Sequence, residues 1–241
     1  MAASDDPVVQ YLTEELVLAN HILARLGVLD AFGHVSVRLP DRPGQFLLSR
    51  SLAPGLVTAA SILTFDADSE PAEGSGGYRV YLERFIHGEI YRARPDVEAV
   101  VHSHSPSIIP FGVVAAEPLR PVFHMAGFIG ERAPVFEIRD IAGNGSDLLI
   151  RDRRLGQALA EALGPHAIVL MRGHGSTAVG SSLRQAVYRA AYAETNARLQ
   201  GEALRLGTPT YLSLDEAQAT AAINDAQIDR AWEYWADMVK P

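Results

Sequence analysis

The chain contains no cysteine, which excludes disulfides, thiolate metal sites and cysteine nucleophiles together. Any metal ligand must then be His, Asp or Glu. Basic charge is scarce as well: 21 Lys and Arg stand against 29 Asp and Glu, a formal charge of -8, with no basic run to attract a polyanion. Nucleic acid is not an expected partner. Nowhere do 18 apolar residues run together, and Met1 to Gln10 carry two Asp and no apolar segment, so neither a membrane span nor an export signal is expected. The expected location is therefore the cytoplasm. There is no internal repeat, low-complexity tract or linker, and 241 residues of which 48% are hydrophobic suffice for one sizeable core. A single domain over residues 1–241 follows.

What is present reads as alternating helices and strands. Asp6 before Pro7 starts a helix whose stripe Leu12, Leu16, Ala19, Ile22, Leu23 and Leu26 ends at Gly27. From Phe32 to Phe65, glycines and prolines punctuate short strands such as Phe46 to Leu48 and Ile62 to Phe65. Ser69 to Gly77 is a polar loop, followed by a helix from about Leu82 to Arg94 that Pro95 stops. Strands are expected at Val97 to Ser103, Pro134 to Ile138 and Ala167 to Met171, with a helix over Leu155 to Leu163 closed by Gly164. Ser182 with Gln185 and Ser213 with Glu216 form capping boxes for two further helices, and a last helix carries Trp232 and Trp235. The class is α/β.

His102 and His104 stand two apart at the end of the strand Val97 to Ser103, and alternation along a strand sends both imidazoles to one face. Such a pair alone is more often a polar edge than a metal site. Glu83, however, lies on the preceding helix, which can bring its carboxylate back to the strand's C-terminal end, where sites in α/β sheets gather. His174 follows the strand Ala167 to Met171, with Gly173 and Gly175 permitting a tight turn that presents the ring. Three imidazoles and a carboxylate suit one divalent ion per chain, and zinc, manganese, iron and cobalt are all compatible with that ligand set.

The segments Glu83-Arg84-Phe85-Ile86-His87, Arg94-Pro95-Asp96, Ala99-Val100-Val101-His102-Ser103-His104 and Gly173-His174-Gly175 together resemble the class II aldolase and adducin family over about residues 10 to 210. The resemblance implies that Glu83, His102, His104 and His174 bind a catalytic metal. It also implies a three-layer α/β/α fold around a largely antiparallel sheet, and a homo-oligomer, commonly a tetramer, with active sites at subunit boundaries.

The sugar-phosphate aldolases of that family hold phosphate with three segments that this chain lacks; it reads Gly33-His34-Val35-Ser36, Ser49-Arg50-Ser51 and Tyr81-Leu82 in their places. Arg50 offers a rigid charged fork for a carboxylate, and His34 and Ser49 can add donors to the same group, which suits an organic acid substrate. His124 falls where the aldolases place a proton-exchanging tyrosine, and a histidine can do that work near neutral pH. His87, one helical turn beyond Glu83, is expected to orient that carboxylate. Tyr211 resembles a C-terminal tyrosine lent to a neighbouring subunit. His21 and His166 are expected to be structural.

The segments Asp30 to Ser36, Ser49 to Pro54 and Arg84 to Glu89 look most like the decarboxylase branch, whose substrates are hydroxylated aromatic dicarboxylic acids or hydroxy-carboxymuconic semialdehydes. Loss of carbon dioxide beside a hydroxyl or keto oxygen leaves an enolate, as retro-aldol cleavage does, and a Lewis acid stabilises either. Two alternatives remain open at this point: an aldolase or epimerase acting on a sugar or sugar phosphate, and a non-catalytic adducin-like interaction domain.

Overall fold

The computed structural model describes residues 6–240. Helix α1 (Pro7–Arg25) starts where the Asp6 carboxylate accepts from the Val8 and Val9 amides, and its chain leaves through Gly27 at φ +71°. The strands are β1 (His34–Arg38), β2 (Phe46–Ser49), β3 (Ile62–Phe65), β4 (Ala99–Ser103), β5 (Val135–Phe136), β6 (Ile168–Met171) and β7 (Gly175–Gly180). The remaining helices are α2 (Phe85–Ala93), α3 (Ile109–Val113), α4 (Arg139–Ala142), α5 (Arg153–Leu163), α6 (Leu183–Leu206), α7 (Leu214–Asp225) and α8 (Ile228–Met238). None of the described helices is long and apolar enough to cross a membrane.

The seven strands form one sheet in the order β3-β2-β1-β4-β7-β6-β5, antiparallel throughout except for the β5–β6 pair. This is the largely antiparallel sheet that the resemblance implies. Side-chain alternation divides its two faces. Val35, Val37, Ala99 and Val101 join the core beneath α1, α6 and α8, with Leu16, Leu23, Val187 and Trp232. Phe46, Leu48, Val100 and Val179 join a second core beneath α2 and α5, with Ile86, Ile90, Leu155 and Leu159. Three layers result, and the parity of β4 decides where the chemistry goes. Val100 faces α2, so His102, two residues on, faces α2 as well.

Several local readings differ from the sequence expectation. Glu83 is not on an α-helix: Leu82–Arg84 form a 3-10 turn, with Glu83 at φ -91°, ψ 19°, and α2 begins only at Phe85. The expected strand Pro134 to Ile138 shrinks to two residues. Strands β1 and β7 were not singled out by pattern. The Ser213–Glu216 capping box forms, whereas Gln185 turns its amide oxygen to the Ser181 amide and hydroxyl, leaving only half of the Ser182 box.

Candidate metal centre

His102 sits in mid-sheet, with His34 of β1 and Thr177 of β7 as its cross-strand partners, and is completely buried. His104 follows just beyond β4. His174 lies in the tight β6–β7 turn, where Gly173 adopts φ +67°. Gly175 lets that turn press onto the end of β4, since a Cβ there would stand 2.0 Å from the Ser103 carbonyl oxygen. Glu83 completes the group from the opposite layer.

One ligand atom from each of Glu83, His102, His104 and His174 falls within 4.8 Å of all the others. Glu83 Oε2 lies 3.6 Å from His102 Nε2 and 3.5 Å from His174 Nε2, and the Nε2 atoms of His174 and His104 are 3.0 Å apart. The three imidazole centroids are separated by 4.8 to 5.2 Å. His102 Nε2 is buried without a hydrogen-bond partner. His174 donates Nδ1–H to the Leu148 carbonyl at 2.9 Å, which turns Nε2 inward toward Glu83 and His104. Four potential ligand atoms thus lie within reach of a single ion, and a divalent cation is a partner that this donor set fits.

Residues 14–201 match the family model described as the Class II Aldolase and Adducin N-terminal domain. The chain belongs to this family. It is 38% identical over 243 residues to Decarboxylase tropJ of Talaromyces stipitatus, covering 91% of each chain. It is 33% identical over 200 residues to the 3,4-dihydroxyphthalate decarboxylase of Arthrobacter keyseri, covering 77% of this chain and 76% of that protein. These relatives put it in the decarboxylase branch. A solved L-fuculose 1-phosphate aldolase from Glaciozyma antarctica superposes with a TM-score of 0.78 over 98% of this chain and 94% of its own, at 22% identity, a likeness of fold.

In this class II aldolase-family chain the Leu148–Ile150 segment holds two of the four candidate ligands. Its Leu148 carbonyl accepts from His174, and its Ile150 amide donates to Glu83 Oε1 at 3.0 Å. Leu148 adopts φ +69°, a left-handed conformation that costs a non-glycine residue about 1 kcal/mol or more, so the loop carries strain where it orients the ligands. Burial alone would raise the Glu83 carboxyl, but the hydrogen bond with His174, the charges of His102 and His174 and the Ile150 amide outweigh it and hold the group at about 2. Burial pushes His102 far below its ordinary value, against the opposing charge of Glu83. His174 is itself raised: burial opposes its charge, and Glu83 and Leu148 prevail.

The structure corrects the roles assigned to the surrounding residues. His87 does not orient Glu83. Because Glu83 lies on the 3-10 turn, the i, i+4 relation fails, and His87 Nε2 meets His34 Nδ1 at 2.6 Å while its Nδ1 meets the Ser36 hydroxyl at 2.6 Å. Ser49 is buried, with its hydroxyl 3.0 Å from that of Tyr81, which itself donates to the Leu52 carbonyl, so Ser49 is not a free donor for substrate. His34 is equally buried, its ring 4.5 Å from Tyr81 and 5.0 Å from His102. It therefore stands beside the cluster as a neutral group rather than a cation, burial and the neighbouring imidazoles holding it far below its ordinary range.

Arg50 stacks over Tyr78 at 4.8 Å and has no carboxylate partner among the described residues. Burial raises the Tyr81 hydroxyl, and its bonds to Ser49 and Leu52 and the charge of Arg50 oppose that rise. Tyr211 is not brought to the cluster: its hydroxyl accepts from Gln200 and Arg120 covers its ring at 4.0 Å. His124 is exposed at the start of a 3-10 turn that packs on α7, with its carbonyl accepting from Asn224. Within one chain it lies away from the four candidate ligands, because that turn joins the core beneath α6, on the other face of the sheet from Glu83. His21, bonded to the Val57 carbonyl, and the exposed His166 take no part. Tyr81 and the 148–150 loop were not expected. Tyr81, two residues before Glu83, was the one available sequence signal.

Proposed function

We propose that this chain is a divalent-metal-dependent decarboxylase acting on a hydroxylated aromatic dicarboxylic acid or a hydroxy-carboxymuconic semialdehyde. The convergence of Glu83 and three imidazoles on one point is the observation that carries this reading. A divalent cation held there, whether zinc, manganese, iron or cobalt, supplies Lewis-acid stabilisation of the charge that builds on a hydroxyl or keto oxygen as carbon dioxide leaves. An amine electron sink is not available at the cluster, since the chain's single lysine, Lys240, is exposed on the C-terminal residues and pairs with Asp237.

The protein's own residues bind and orient. Arg50 holds a second, retained carboxylate through its planar fork, in place of the phosphate that sugar aldolases clamp. Glu83 stays anionic at all physiological pH values and keeps the cluster's charge fixed. Assembly as a homo-oligomer, of which a tetramer is the form the family resemblance implies, is part of the proposal. His124 and Tyr211 can serve the reaction only across a subunit boundary, where His124 is suited to deliver the proton to the carbon that loses carbon dioxide.

Two measurements test this reading. Metal-loaded protein incubated with a panel of hydroxylated dicarboxylic acids is expected to release carbon dioxide and to form no aldehyde fragment. Efficient cleavage of a phosphorylated ketose, with no carbon dioxide from any acid of the panel, transfers the protein to the aldolases. Arg50→Ala is expected to lower kcat/KM for the dicarboxylate by about 2–5 kcal/mol, the usual cost of truncating one partner of a desolvated ion pair, with Arg50→Lys a partial rescue. Unchanged kcat/KM in Arg50→Ala removes the carboxylate role.

A further inference from the structure

Behind the metal cluster four buried side chains form an unbranched hydrogen-bonded row. His34 Nδ1 and His87 Nε2 are 2.6 Å apart, His87 Nδ1 and the Ser36 hydroxyl 2.6 Å, and the Ser36 and Tyr91 hydroxyls 2.7 Å. All four residues are buried, and Tyr91 is further enclosed by Phe46 and by Arg38 over its ring. Among the described residues the Tyr91 hydroxyl has no partner besides Ser36, and His34 Nε2 has none. That nitrogen is the one that does not meet His87, and the ring centroid lies 4.5 Å from that of Tyr81 and 5.0 Å from that of His102.

Each link admits two directions, yet the row as a whole has one that leaves no donor idle in the core. Tyr91 O–H donates to Ser36, Ser36 O–H donates to His87 Nδ1, and His87 Nε2–H donates to His34 Nδ1. The proton of His34 then resides on Nε2, on a ring whose centroid lies 5.0 Å from that of His102 and whose Nε2, unlike the Tyr91 hydroxyl, need not be sealed in the core. The reverse direction points the Tyr91 hydrogen at nothing. A third arrangement, with His87 and Tyr91 both donating to Ser36, strands the Ser36 hydrogen instead. Burying one unpaired donor disfavours either alternative roughly 5- to 150-fold.

We infer that Ser36 and His87, with Tyr91 closing the row, are positioning residues that fix His34 as a neutral Nε2–H tautomer and so make it an obligate hydrogen-bond donor to whatever binds beside His102. His34 then recognises an acceptor oxygen, such as a carboxylate or keto oxygen, without adding charge, and it cannot serve as a base there. The identity of that oxygen rests on the decarboxylase reading; the tautomer does not.

Long-range 1H–15N spectra of the imidazoles in the full-length, zinc-loaded protein test the inference, with the His34 signals assigned by their loss in His34→Gln. His34 and His87 are each expected to carry a proton on Nε2 alone. Ser36→Ala removes the group that sets the direction, so the two His34 tautomers should come within about tenfold of each other, while Ser36→Thr, which keeps a hydroxyl, should retain the Nε2–H form. In parallel, phthalate, a dicarboxylate probe, should bind the Ser36→Ala protein several-fold more weakly. A proton on His34 Nδ1 in the unmodified protein overturns the inference, whether or not Ser36→Ala folds. So does an unchanged tautomer in a folded Ser36→Ala variant. Failure to release carbon dioxide alongside the expected tautomer defeats the decarboxylase reading and leaves this one standing.

Discussion

Alanine at His102, His104 or His174 is expected to empty the metal site and to slow turnover by roughly 10³-fold or more, since Lewis-acid stabilisation contributes several kcal/mol and each 1.4 kcal/mol is about tenfold. The three variants should differ in what else they lose. His104 and His174 are part-exposed at strand and turn ends, so their removal leaves the sheet intact. His102 fills a completely buried position between β1 and β7, and its truncation should also lower stability by about 2–5 kcal/mol through the cavity it leaves. Glu83→Gln retains an oxygen for the Ile150 amide but removes the charge that balances a cation, so it should bind metal more weakly with little change in fold. Elemental analysis of each purified variant, with denaturant melts beside it, reads both effects. Full activity in exhaustively chelated protein would leave the convergence of these four side chains without a purpose and would end the metal assignment.

The four candidate ligands were legible because each is tied to a local pattern: a His-x-His pair closing an apolar strand, a His between glycines after another, and a carboxylate ahead of the first. Strand β1 was not, because its polar positions His34 and Ser36 face α2 and the buried row rather than solvent, so polar alternation there does not mark an outer face. Strand β7, Gly175–Gly180, is small-residue rich and opens and closes on glycine, weak β-formers that become a fully buried central strand because β4 and β6 enclose them. His87 was misassigned for a different reason. Spacing of four residues means one helical face only if both residues belong to the same α-helix, and the 3-10 turn at Glu83 breaks that premise. The support from Leu148 and Ile150 has no local signature at all, since it depends on a strained loop whose Ile150 lies 67 residues from Glu83 in sequence. Long-range polar contacts of this kind are set by tertiary packing, which periodicity and spacing do not encode.

Lowering the pH from 7 to 4 is expected to destabilise the chelated protein steeply, and the buried imidazoles account for most of the loss. Burial holds His87 at about 3, with only the charge of Glu83 opposing, whereas an unfolded histidine titrates near 6.5. Between those values the unfolded chain takes up a proton that the folded one refuses, so stability falls as pH drops below about 6.5 and continues to fall towards 3. At about 1.4 kcal/mol per pH unit, His87 alone removes roughly 3 kcal/mol by pH 4, a large part of the 5–15 kcal/mol that holds a typical domain. His34 and His102, also fully buried, are pushed the same way, and the half-exposed His104 follows them. Glu83 adds to the loss in a lower window, from its ordinary 4.5 down to about 2, because its stabilising charge disappears as it is protonated. His174 works in the opposite sense, since its raised value favours the folded state at lower pH and loses that contribution as pH rises, but it is one imidazole against the four that are lowered. Urea unfolding at pH 7, 5.5 and 4 measures the slope directly. In His87→Gln the protein should be less stable at pH 7 yet flatter, by about 1.4 kcal/mol per pH unit between pH 6 and 4, because one refused proton has been removed from the balance. A slope that is the same in both proteins would mean that His87 is not held neutral by the fold.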